Sequence, residues 1–596
     1  MKFKELADYF EKIEKTTSRL EITRVLASLF KKLAADEIDK TVYLLQGRVV
    51  PLYEKVNFGM AEKMVIRSIV QGLSLENRLF VRRYKKMGDL GKALEAFKQE
   101  IRSFEETDLT ILKVYDELFR LATAGGDGSQ ETKINILSNL IRRLDSLSCR
   151  YLVRIPQGLL RLGFSDMTVL DAYSWMISGD KSLRWQIEKA YHVRPDLGFI
   201  GHLLKKEGVK SLAHIVPRLF TPILMMRAER LSTAEDIIKQ IGRCIIEPKY
   251  DGFRLQIHYS HKTKEIRIYS RNLEDVSFMY PDIVAGVRRE VKAEEIILEG
   301  EAIGYEETTN TFLPFQETVQ RKRKYDIQET AKKIPLKLFP FELLYVNGKS
   351  FIDTRLEERS KELLKHIKNH GDTHRDVLLA SPTEITSDPK KVDRLFEDAI
   401  AKGLEGIIAK RLDGVYQAGA RGWNWIKFKK SYSSKIEDTI DCLIMGYDAG
   451  KGKRTNFGIG AFLVGVYDQK NDRYLTTSKI GTGLTDEEWK ELYKRAQKYK
   501  QAEKPTVYDV DKMMKVDAWV DPHIVVEIKA DEITRSSIHT AGRVLKASKS
   551  GTAFEVATPG FALRFPRLVR FRDDKRPEET TTLNELRSLF RQQKGG

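Results

Sequence analysis

Cysteine is scarce in this chain, with three residues among 596, at positions 149, 244 and 442. They form no CxxC pair, which argues against a disulfide framework or a four-cysteine zinc site and indicates a reducing compartment. Long hydrophobic runs are also missing, because no apolar stretch approaches about 18 residues. The charged, amphipathic N-terminus lacks the apolar core of a signal peptide. We therefore expect a cytoplasmic protein with no membrane segment.

Charged residues, in contrast, are abundant. They make up 32% of the chain, and Lys and Arg exceed Asp and Glu to give a formal net charge of +18. This excess predicts a polyanionic partner, although surplus lysine can also form a solvated surface. A length of 596 residues exceeds what one hydrophobic core supports, so we expect three or four domains.

Residues 1–217 are predicted to be almost entirely helical. Apolar residues at 134, 137, 141 and 144 follow the spacing of one buried helix face, and a glycine-rich segment at 125–129 separates this helix from the preceding one. Basic clusters recur between the helices, at 82–86, 142–143 and 205–206. Such clusters are typical of contacts with a phosphate backbone, and ordinary solvated helix faces are the alternative.

The pattern changes after Pro217. Apolar residues alternate with polar residues on both sides of the loop 261–264, which predicts a β-hairpin. Residues 218–435 are therefore predicted to form an α+β domain around antiparallel sheets. Its other expected elements are strands at 295–303 and 336–345 and a helix at 388–401.

Short strands separated by glycine-rich turns dominate residues 436–596. They predict a small β-barrel of the OB-fold class, which often binds nucleic acid. The expected strands are 442–447, 461–467, 473–479 and 524–530. The predicted fold class is thus a multidomain chain with an all-α domain, an α+β domain and a β-barrel domain.

One lysine stands out, in the run EPKYDGFR at residues 247–254. Lys249 follows an apolar stretch and precedes an Asp-Gly pair, which suits an amine that attacks a nucleotide α-phosphate and carries the nucleotide as a phosphoramidate. A free lysine has a pKa of about 10.4, so nearby cations must first depress the pKa. The alternative is a structural strand that ends in an Asp-Gly turn, and the order of the motifs downstream disfavours it.

Several clusters after Lys249 have the chemistry that a nucleotide site needs. Arg271, in Ser-Arg-Asn, could place a guanidinium on a ribose or a phosphate. Glu299 and Glu301 follow an apolar run and could accept from a ribose hydroxyl or hold Mg²⁺ through water. Phe341 offers a ring for stacking on a base. The structural alternatives are a surface arginine in a turn and an aromatic residue in a core strand.

A second group of charged residues follows. Glu405 and Lys410 lie at the two ends of a short apolar strand, and Arg421 precedes the alternating pair Lys427 and Lys429. Two cations on one strand face would neutralise an α-phosphate and lower the pKa of the nucleophile by like-charge repulsion. Lys410 has its own Asp-Gly pair downstream, but the spacing is one residue too long, so we exclude Lys410 as the nucleophile.

The C-terminal run at 564–575 is densely cationic. Alternation places Arg570 and Arg572 on one face. The run is either a polybasic nucleic-acid patch or a mobile clamp on the pyrophosphate of ATP, because a leaving group with concentrated negative charge needs several donors.

Together these motifs resemble those of the ATP-dependent DNA ligases of the archaeal and eukaryotic replicative type, over essentially the whole chain. The matching segments are KYDG (249–252), SRN (270–272), EGE (299–301), FPFELLYVNG (339–348), EGIIAKR (405–411), RGWNWIKFKK (421–430), GKGKR (450–454), KIGTG (479–483) and RFPRLVRFRDDK (564–575). The resemblance implies a helical DNA-binding domain at 1–217, a nucleotidyltransferase (adenylation) domain at 218–435 and an OB-fold domain at 436–596, which together encircle a nick.

The resemblance also implies roles for individual residues. Lys249 is the residue that becomes adenylylated. Nucleotide binding is expected from Glu247 and Phe341 at the adenine, Arg254, Arg271 and Glu301 at the ribose and phosphate, and Arg421, Lys427 and Lys429 at the phosphates. The expected metal ligands are Glu301 and Glu405, with the choice between Glu299 and Glu301 left open. The residues expected to act in the first step, over ATP, are Arg567, Arg570, Asp574 and Lys575.

The implied reaction seals nicks in duplex DNA during replication, repair and recombination. Lys249 takes AMP from ATP, AMP moves to the 5′-phosphate at the nick, and the 3′-hydroxyl then displaces AMP. The expected cofactors are ATP and Mg²⁺, or alternatively Mn²⁺, and the expected partner is nicked duplex DNA, bound by a monomer associated with the nucleoid. A sliding clamp is a further family partner, but residues 99–104 are only a poor fragment of a clamp-binding peptide.

Three alternatives share part of this pattern. An RNA ligase or an mRNA capping guanylyltransferase has the lysine motif, but the long helical region suits neither. An NAD-dependent ligase usually carries a four-cysteine zinc site, which this chain lacks. A non-catalytic basic scaffold protein fits the composition but leaves Lys249, Glu301, Glu405 and the Lys427/Lys429 pair unexplained.

Overall fold

The computed structural model describes most of the chain. The described residues are 1–16, 18–87, 89–101, 107–158, 160, 162, 164–231, 233–306, 311–323, 325–368, 375–429, 439–450, 457–547 and 554–593. They form two compact units, Met1–Phe428 and Lys429–Gly596. The predicted motif at 450–454 falls outside the described residues after Gly450, as does the second half of the 99–104 fragment.

The first part of the larger unit is helical, as predicted. A short 3₁₀ helix at Val209–His214 follows the last of its helices. The helices are α1 (Phe3–Glu14), α2 (Arg19–Lys32), α3 (Ala35–Leu45), α4 (Glu62–Leu73), α5 (Asn77–Met87), α6 (Leu90–Glu100), α7 (Ile111–Thr123), α8 (Ser129–Arg143), α9 (Ser146–Leu152), α10 (Asp166–Ser178), α11 (Arg184–Val193) and α12 (Leu197–Glu207).

Helix α8 shows why these helices assemble. Ile134, Leu137 and Ile141 are fully buried, and Leu144, just after the helix, is 2% exposed. The predicted helix face is therefore confirmed, and its burial supplies most of the stability of the helix. The glycine-rich segment 125–129 separates α7 from α8 as expected.

Some residues of the basic clusters in the helical region bind other protein groups. Arg83 forms an ion pair with Glu100 at 2.8 Å, and the Lys205 ammonium donates to the carbonyl of Lys31. Arg142 donates to the carbonyls of residues 71 and 72. The exposed members, such as Arg82 and Lys206, keep their charge at the surface.

The second part of the larger unit contains two sheets with helices around them. Its strands are β1 (Arg227–Arg230), β2 (Cys244–Lys249), β3 (Phe253–Ser260), β4 (Ile266–Ser270), β5 (Glu295–Glu306), β6 (Thr311–Phe312), β7 (Leu336–Val346), β8 (Lys349–Ser350), β9 (Glu384–Thr386), β10 (Gly406–Arg411) and β11 (Arg421–Lys429). Its helices are α13 (Ala234–Ile241), α14 (Pro281–Glu290), α15 (Phe315–Thr318), α16 (Ile327–Lys333), α17 (Leu356–Lys365) and α18 (Pro389–Ala401).

The two sheets have different strand orders. One has the order β1-β11-β10-β2-β9. The other has the order β4-β3-β5-β7-β8, and β6 also pairs with β5. The β3–β4 hairpin, β5, β7 and α18 confirm the predicted elements. Strand β3 is antiparallel to both β4 and β5. On one face of β3, Leu255 and Ile257 pack in a core with Ile283 of α14.

A buried ion pair fastens α17 to the second sheet. Arg359 donates to both carboxylate oxygens of Glu342 in β7, at 2.7 and 2.8 Å, and both side chains are at most 1% exposed. The bidentate geometry satisfies each buried charge, so α17 covers the end of the sheet without an unpaired group.

The smaller unit is rich in short strands, as predicted. Its strands are β12 (Ile440–Ala449), β13 (Ile459–Asp468), β14 (Arg473–Ile480), β15 (Lys500–Gln501), β16 (Tyr508–Asp509), β17 (Ala518–Val520), β18 (Val525–Lys529), β19 (Glu532–Ser536), β20 (Val544–Ala547), β21 (Phe554–Thr558), β22 (Gly560–Arg564) and β23 (Arg567–Phe571). The main sheet runs β15-β17-β12-β13-β14-β16, with β18 joining β12 to β23. Its helices are α19 (Asp486–Lys498) and α20 (Leu583–Gln592), and its core contains Ile444, Val464 and Val526.

All three cysteines are free and buried. Burial raises the pKa of the Cys244 thiol to about 11 and that of Cys442 to about 12. Within the described residues, no helix is both long enough and apolar enough to cross a bilayer.

Candidate active site

Lys249 ends β2, where the strand leaves the buried sheet. Cys244, Ile245 and Ile246 are at most 4% exposed and anchor the strand. Lys249 is opposite Gly406 in β10, and its carbonyl accepts from the backbone N–H of Glu405 at 3.1 Å. The Lys249 ammonium forms an ion pair with the Glu405 carboxylate, and the two side chains are 20% and 16% exposed. The predicted lysine and the predicted metal ligand are thus in direct contact.

The Asp-Gly pair after Lys249 brings this strand end against β5. A Cβ atom on Gly252 would lie 2.2 Å from the carbonyl oxygen of Ala302, so only glycine permits the approach. Glu301, next to Ala302, accepts a hydrogen bond from the backbone of Gly252. Because the turn packs closely on β5, Glu301 lies near Lys249.

Glu299 and Glu301 lie on the same face of β5, opposite Gln256 and Arg254 of β3. Glu299 is fully buried and accepts from Arg254 at 2.6 Å, from Gln256 at 3.0 Å and from the Tyr416 hydroxyl at 2.9 Å. Its oxygens are therefore occupied by protein groups.

Glu301 is the carboxylate whose pKa is affected by the charge of Lys249. Burial raises the pKa of Glu301 to about 7, although the charges of Lys249 and Arg254 lower it, and the Glu405 carboxylate raises it further. Of the two glutamates between which the sequence left the choice open, Glu301 is the one close to Lys249 and Glu405.

A second ion pair lies deeper in the same strands. Glu247 of β2 is 5% exposed and pairs with the Lys410 ammonium of β10 at 2.7 Å. The Lys410 ammonium also donates to the carbonyl of Phe341 at 3.0 Å and lies 4.8 Å from the centre of the Phe341 ring and 4.7 Å from that of Trp425. Sequence reasoning excluded Lys410 as the nucleophile and gave it no other role, so this contact was missed.

Two aromatic rings form one wall of the site. Phe341 and Trp425 meet edge to face, with ring centres 5.9 Å apart and an interplanar angle of 80°. The Arg254 guanidinium lies 5.4 Å from the Phe341 centre and 5.2 Å from the Trp425 centre. Sequence reasoning selected Phe341 but missed Trp425, although the alternation that pairs Lys427 with Lys429 also extends to residue 425.

The other predicted phosphate-binding residues lie on strand ends. Arg271 is exposed in the turn after β4, and Arg421 is exposed at the start of β11. Lys427 and Lys429 are half-buried at the end of β11, which neighbours β10. Alternation places these two lysines on the face of Trp425, and Phe428 on the opposite face stacks on a ring of α18.

The carboxylates Glu301 and Glu405 fit a magnesium ion better than a transition metal. Within the described part of the chain, no group of three or more His, Cys, Asp or Glu side chains is arranged as a metal cage. Magnesium commonly needs only one or two carboxylates, together with water and substrate phosphates. The mutual repulsion that contributes to the raised pKa of Glu301 would be relieved by a cation.

The cationic C-terminal run is paired with acidic residues of its own unit. Arg570 contacts Glu527 at 2.6 Å and Arg572 approaches the same carboxylate at 3.8 Å, so the two arginines share a face as predicted. Further ion pairs are Arg564 with Glu532 at 3.8 Å, Arg567 with Asp531 at 2.6 Å, Arg572 with Asp441 at 2.9 Å and with Asp574 at 2.8 Å, and Lys575 with Asp441 at 2.6 Å. In the KIGTG motif, Lys479 pairs with Asp448 at 3.0 Å.

Three family models match successive parts of the chain. They are the DNA ligase N terminus over residues 2–174, the ATP dependent DNA ligase domain over 225–429 and the ATP dependent DNA ligase C terminal region over 455–575. The matches cover the helical region, the two-sheet region and most of the smaller unit.

Whole-length relatives agree with these models. The probable DNA ligase of Dictyoglomus turgidum is 45% identical over 595 residues, covering 100% of this chain and 98% of that protein. DNA ligase 2 of Thermofilum pendens is 39% identical over 603 residues, covering 99% and 97%. The solved structure named Pmar-Lig_PreS3 shares the fold with a TM-score of 0.53 at 16% identity, covering 95% of this chain and 99% of that one. The C-terminal region is accordingly OB-like, and the chain belongs to the family of ATP-dependent DNA ligases.

Proposed function

We propose that this DNA ligase seals nicks through a covalent adenylate on Lys249. The observation that carries the proposal is the contact of Lys249 with Glu405, beside Glu301, on the strand whose Glu247–Lys410 pair lies against the Phe341 and Trp425 rings. A single exposed lysine would not need two carboxylates around it. A nucleophile that must lose a proton and then meet a phosphate needs both an acceptor and a cation site.

The first step forms a P–N bond. The Lys249 amine attacks the α-phosphorus of ATP, the bond from that phosphorus to the bridging oxygen breaks, and pyrophosphate leaves. The lysine proton must leave before attack, and the Glu405 carboxylate is in contact with the ammonium to accept it. Both side chains are partly buried, which strengthens the interaction of these charges with the nucleotide.

We assign the base pocket to Phe341, Trp425 and the Glu247–Lys410 pair. An adenine ring can lie against Phe341, while the buried Glu247 carboxylate, held by Lys410, faces the donors of the base. Arg254 is fixed by Glu299 beside these rings, where it can reach the ribose or α-phosphate. The roles of Arg271, Arg421, Lys427 and Lys429 at the ribose and the phosphates remain predictions.

Glu301 and Glu405 are the residues that would hold Mg²⁺, or Mn²⁺ in its place. When bound, the ion would neutralise charge on the phosphoryl oxygens. Ionised Glu301 is needed for that role, and the neighbouring cations Lys249 and Arg254 favour this form because they lower its pKa.

The later steps move AMP to DNA. The lysyl-AMP bond breaks when the 5′-phosphate at a nick attacks the adenylate phosphorus, and the 3′-hydroxyl then attacks the 5′-phosphorus and releases AMP. We propose three domains for this task, at 1–217, 218–435 and 436–596, with the exposed basic residues of the first on the DNA backbone and a barrel-type OB-fold in the third. We further propose that the protein acts as a monomer and that Arg567, Arg570, Asp574 and Lys575 serve the first step. The sequence offers no clean sliding-clamp peptide.

The test of this proposal measures whether AMP becomes attached to the protein and which residue carries it. Incubation with ATP and magnesium should add one AMP to the protein, and peptide mass spectrometry should place it on Lys249 with acid-labile linkage. A nick-sealing assay with ATP, ADP, GTP and NAD in parallel, on DNA and RNA nicks, separates this function from an RNA ligase or a capping enzyme. AMP on another residue would refute the assignment.

A further inference from the structure

A row of polar side chains lies buried along one face of β3. Arg254, Gln256 and His258 alternate with the apolar residues that face the core, so all three point the same way. Gln256 and His258 are completely buried. Buried polar groups on a strand are costly unless each is hydrogen-bonded, so their partners identify their purpose.

The partners of the row belong to one chain segment, residues 217–226, which connects the helical region to the two-sheet region. His258 Nδ1 accepts from the backbone N–H of Phe220 at 3.0 Å. The Gln256 amide accepts from the N–H of Ile223 at 2.7 Å and donates to its carbonyl at 3.0 Å. Arg254 donates to the carbonyl of Met226 at 2.6 Å. Three alternate residues of β3 thus hold three successive points of this linker.

Hydrogen bonds also link the side chains of the row to one another. His258 Nε2 donates to the Gln256 carbonyl oxygen at 3.0 Å, and the Gln256 amide nitrogen donates to Glu299 at 3.0 Å. Glu299 in turn holds Arg254 beside the aromatic wall of the site. A neutral imidazole is required, because one ring nitrogen accepts and the other donates. Burial supplies it by lowering the pKa of His258 to about 3.

The linker itself is held in an unusual conformation. Phe220 has φ of +64°, in the left-handed region that a bulky residue rarely adopts. Its carbonyl accepts from the Tyr269 hydroxyl at 2.7 Å, and its ring lies 5.3 Å from the Arg267 guanidinium. Surrounding contacts therefore impose this turn, which costs on the order of 1–3 kcal/mol.

The same linker is fastened to the helical region. The backbone N–H of Leu224 donates to the carbonyl of His192 in α11 at 2.9 Å. Two ion pairs also join the helical region to the two-sheet region, Lys55 with Asp275 at 3.0 Å and Glu54 with Arg267 at 3.9 Å. The linker is therefore clamped between α11 on one side and the β3 row on the other.

We propose that Gln256 and His258 are positioning residues that fix the linker between the helical region and the nucleotide pocket, and so hold the helical region where it engages nicked DNA. This inference rests on the proposed function. Because His258 and the Phe220 turn that it holds do not contact the nucleotide, this hold on the linker is needed for the steps on DNA and not for transfer of AMP to Lys249.

The test compares two substitutions of His258. In His258→Asn the side-chain oxygen can occupy the position of Nδ1 and accept from Phe220, whereas in His258→Gln the amide occupies the position of Nε2 and the Phe220 N–H loses its acceptor. We expect His258→Gln to form lysyl-AMP within about twofold of the unchanged protein but to seal pre-adenylylated nicks about 10-fold more slowly, as one lost buried hydrogen bond implies. His258→Asn should retain both activities.

A structural readout accompanies the kinetics. Arg218 is exposed in the linker, so limited trypsin digestion should cut after Arg218 faster in His258→Gln than in the unchanged protein or in His258→Asn. Tyr269→Phe, which removes the hydroxyl that donates to the Phe220 carbonyl, provides a second variant with the same expectation.

Several results would overturn the inference. They are normal nick sealing by His258→Gln, equal loss of AMP labelling and sealing in both His258→Gln and Tyr269→Phe, and an equal defect in His258→Asn. Absence of AMP on Lys249 in the unchanged protein would instead refute the proposed function, whatever the His258 variants do.

Discussion

The ammonium of Lys249 and the carboxylate of Glu405 form an ion pair across two antiparallel strands, although 156 residues separate them in the sequence. The register of β2 against β10 creates this contact, because Lys249 ends one strand where Glu405 precedes the other. The contact places a proton acceptor on the proposed nucleophile, so that Lys249 can attack as a neutral amine.

Replacement of Lys249 by Ala removes the proposed nucleophile. We expect no lysyl-AMP from α-labelled ATP, while pre-adenylylated nicked DNA is still sealed slowly, since that step needs no amine. Lys410→Ala provides a poor control because it is buried, so the exposed Lys206→Ala is the better match. Labelling of Lys249→Ala with AMP would contradict the assignment.

Glu405→Gln keeps the shape of the side chain but removes its charge. We expect the rate of self-adenylylation to fall by about 100-fold, because both the proton acceptor and a metal ligand are lost. Pre-steady-state labelling at several magnesium concentrations measures it. The exposed Glu397 on α18 offers a matched change, Glu397→Gln, which should label normally. Equal rates in the two variants would count against a role for Glu405.

The raised pKa of Glu301 predicts a pH-dependent stability. Burial raises the pKa to about 7 in the folded chain, from 4.5 otherwise, so the folded state binds this proton more tightly. The resulting stabilisation is fully present below about pH 4.5 and is lost as the pH rises to about 7. Glu301→Gln has no proton to lose at this position. Across this pH window, its free energy of unfolding should therefore rise by up to about 3 kcal/mol relative to that of the unchanged protein.

Denaturant unfolding at pH 5 and pH 8 tests the Glu301 prediction, with Glu397→Gln as the control for removal of one acidic group. Parallel pH profiles for Glu301→Gln and the unchanged protein would show that Glu301 does not titrate in this range.

Lys410→Met leaves the Glu247 carboxylate buried without its cation. We expect a loss of about 3 kcal/mol in the free energy of unfolding, and weaker ATP binding because the base pocket loses its fixed carboxylate. Burial already raises the pKa of Glu247, so without Lys410 the carboxyl group should take up a proton more readily.

A double substitution isolates the Glu247–Lys410 pair. Glu247→Gln with Lys410→Met should be more stable than Lys410→Met alone, because no buried charge remains. Additive losses in the double variant would mean that the two side chains do not interact.

Arg570→Ala tests the C-terminal run. We expect self-adenylylation to slow by at least about 10-fold while pre-adenylylated nicks are sealed at a nearly normal rate, because pyrophosphate is absent from that step. Arg576→Ala, a highly exposed arginine of the same segment, is the control. Equal slowing of both steps would favour a polybasic DNA patch over a pyrophosphate clamp.

The sequence predicted the main elements well because their signals are local. Residues close together in the sequence determine the α8 face, the β3–β4 hairpin and the turn after Lys249. The EGE motif after an apolar run limited one candidate carboxylate of the site to Glu299 or Glu301. The choice between them depends on Tyr416 and Arg254, which reach Glu299 only through the tertiary fold.

Lys410 shows what local reasoning cannot supply. Its spacing correctly argued against a second nucleophile motif, but its partner Glu247 lies on another strand, and only the register of β10 on β2 brings them together. The C-terminal cations are a second case. Their density predicted a polybasic patch or a pyrophosphate clamp but gave no sign of the carboxylates on other strands with which the fold pairs Arg570 and Lys575.

The burial of all three thiols has a practical consequence. With their pKa values raised by burial, Cys244 and Cys442 are protonated at neutral pH and react poorly with maleimides. A cysteine introduced at an exposed position of α12 and another on α18 would therefore accept fluorophores against little background. Such a doubly labelled protein could report interdomain distances during turnover without prior removal of native residues.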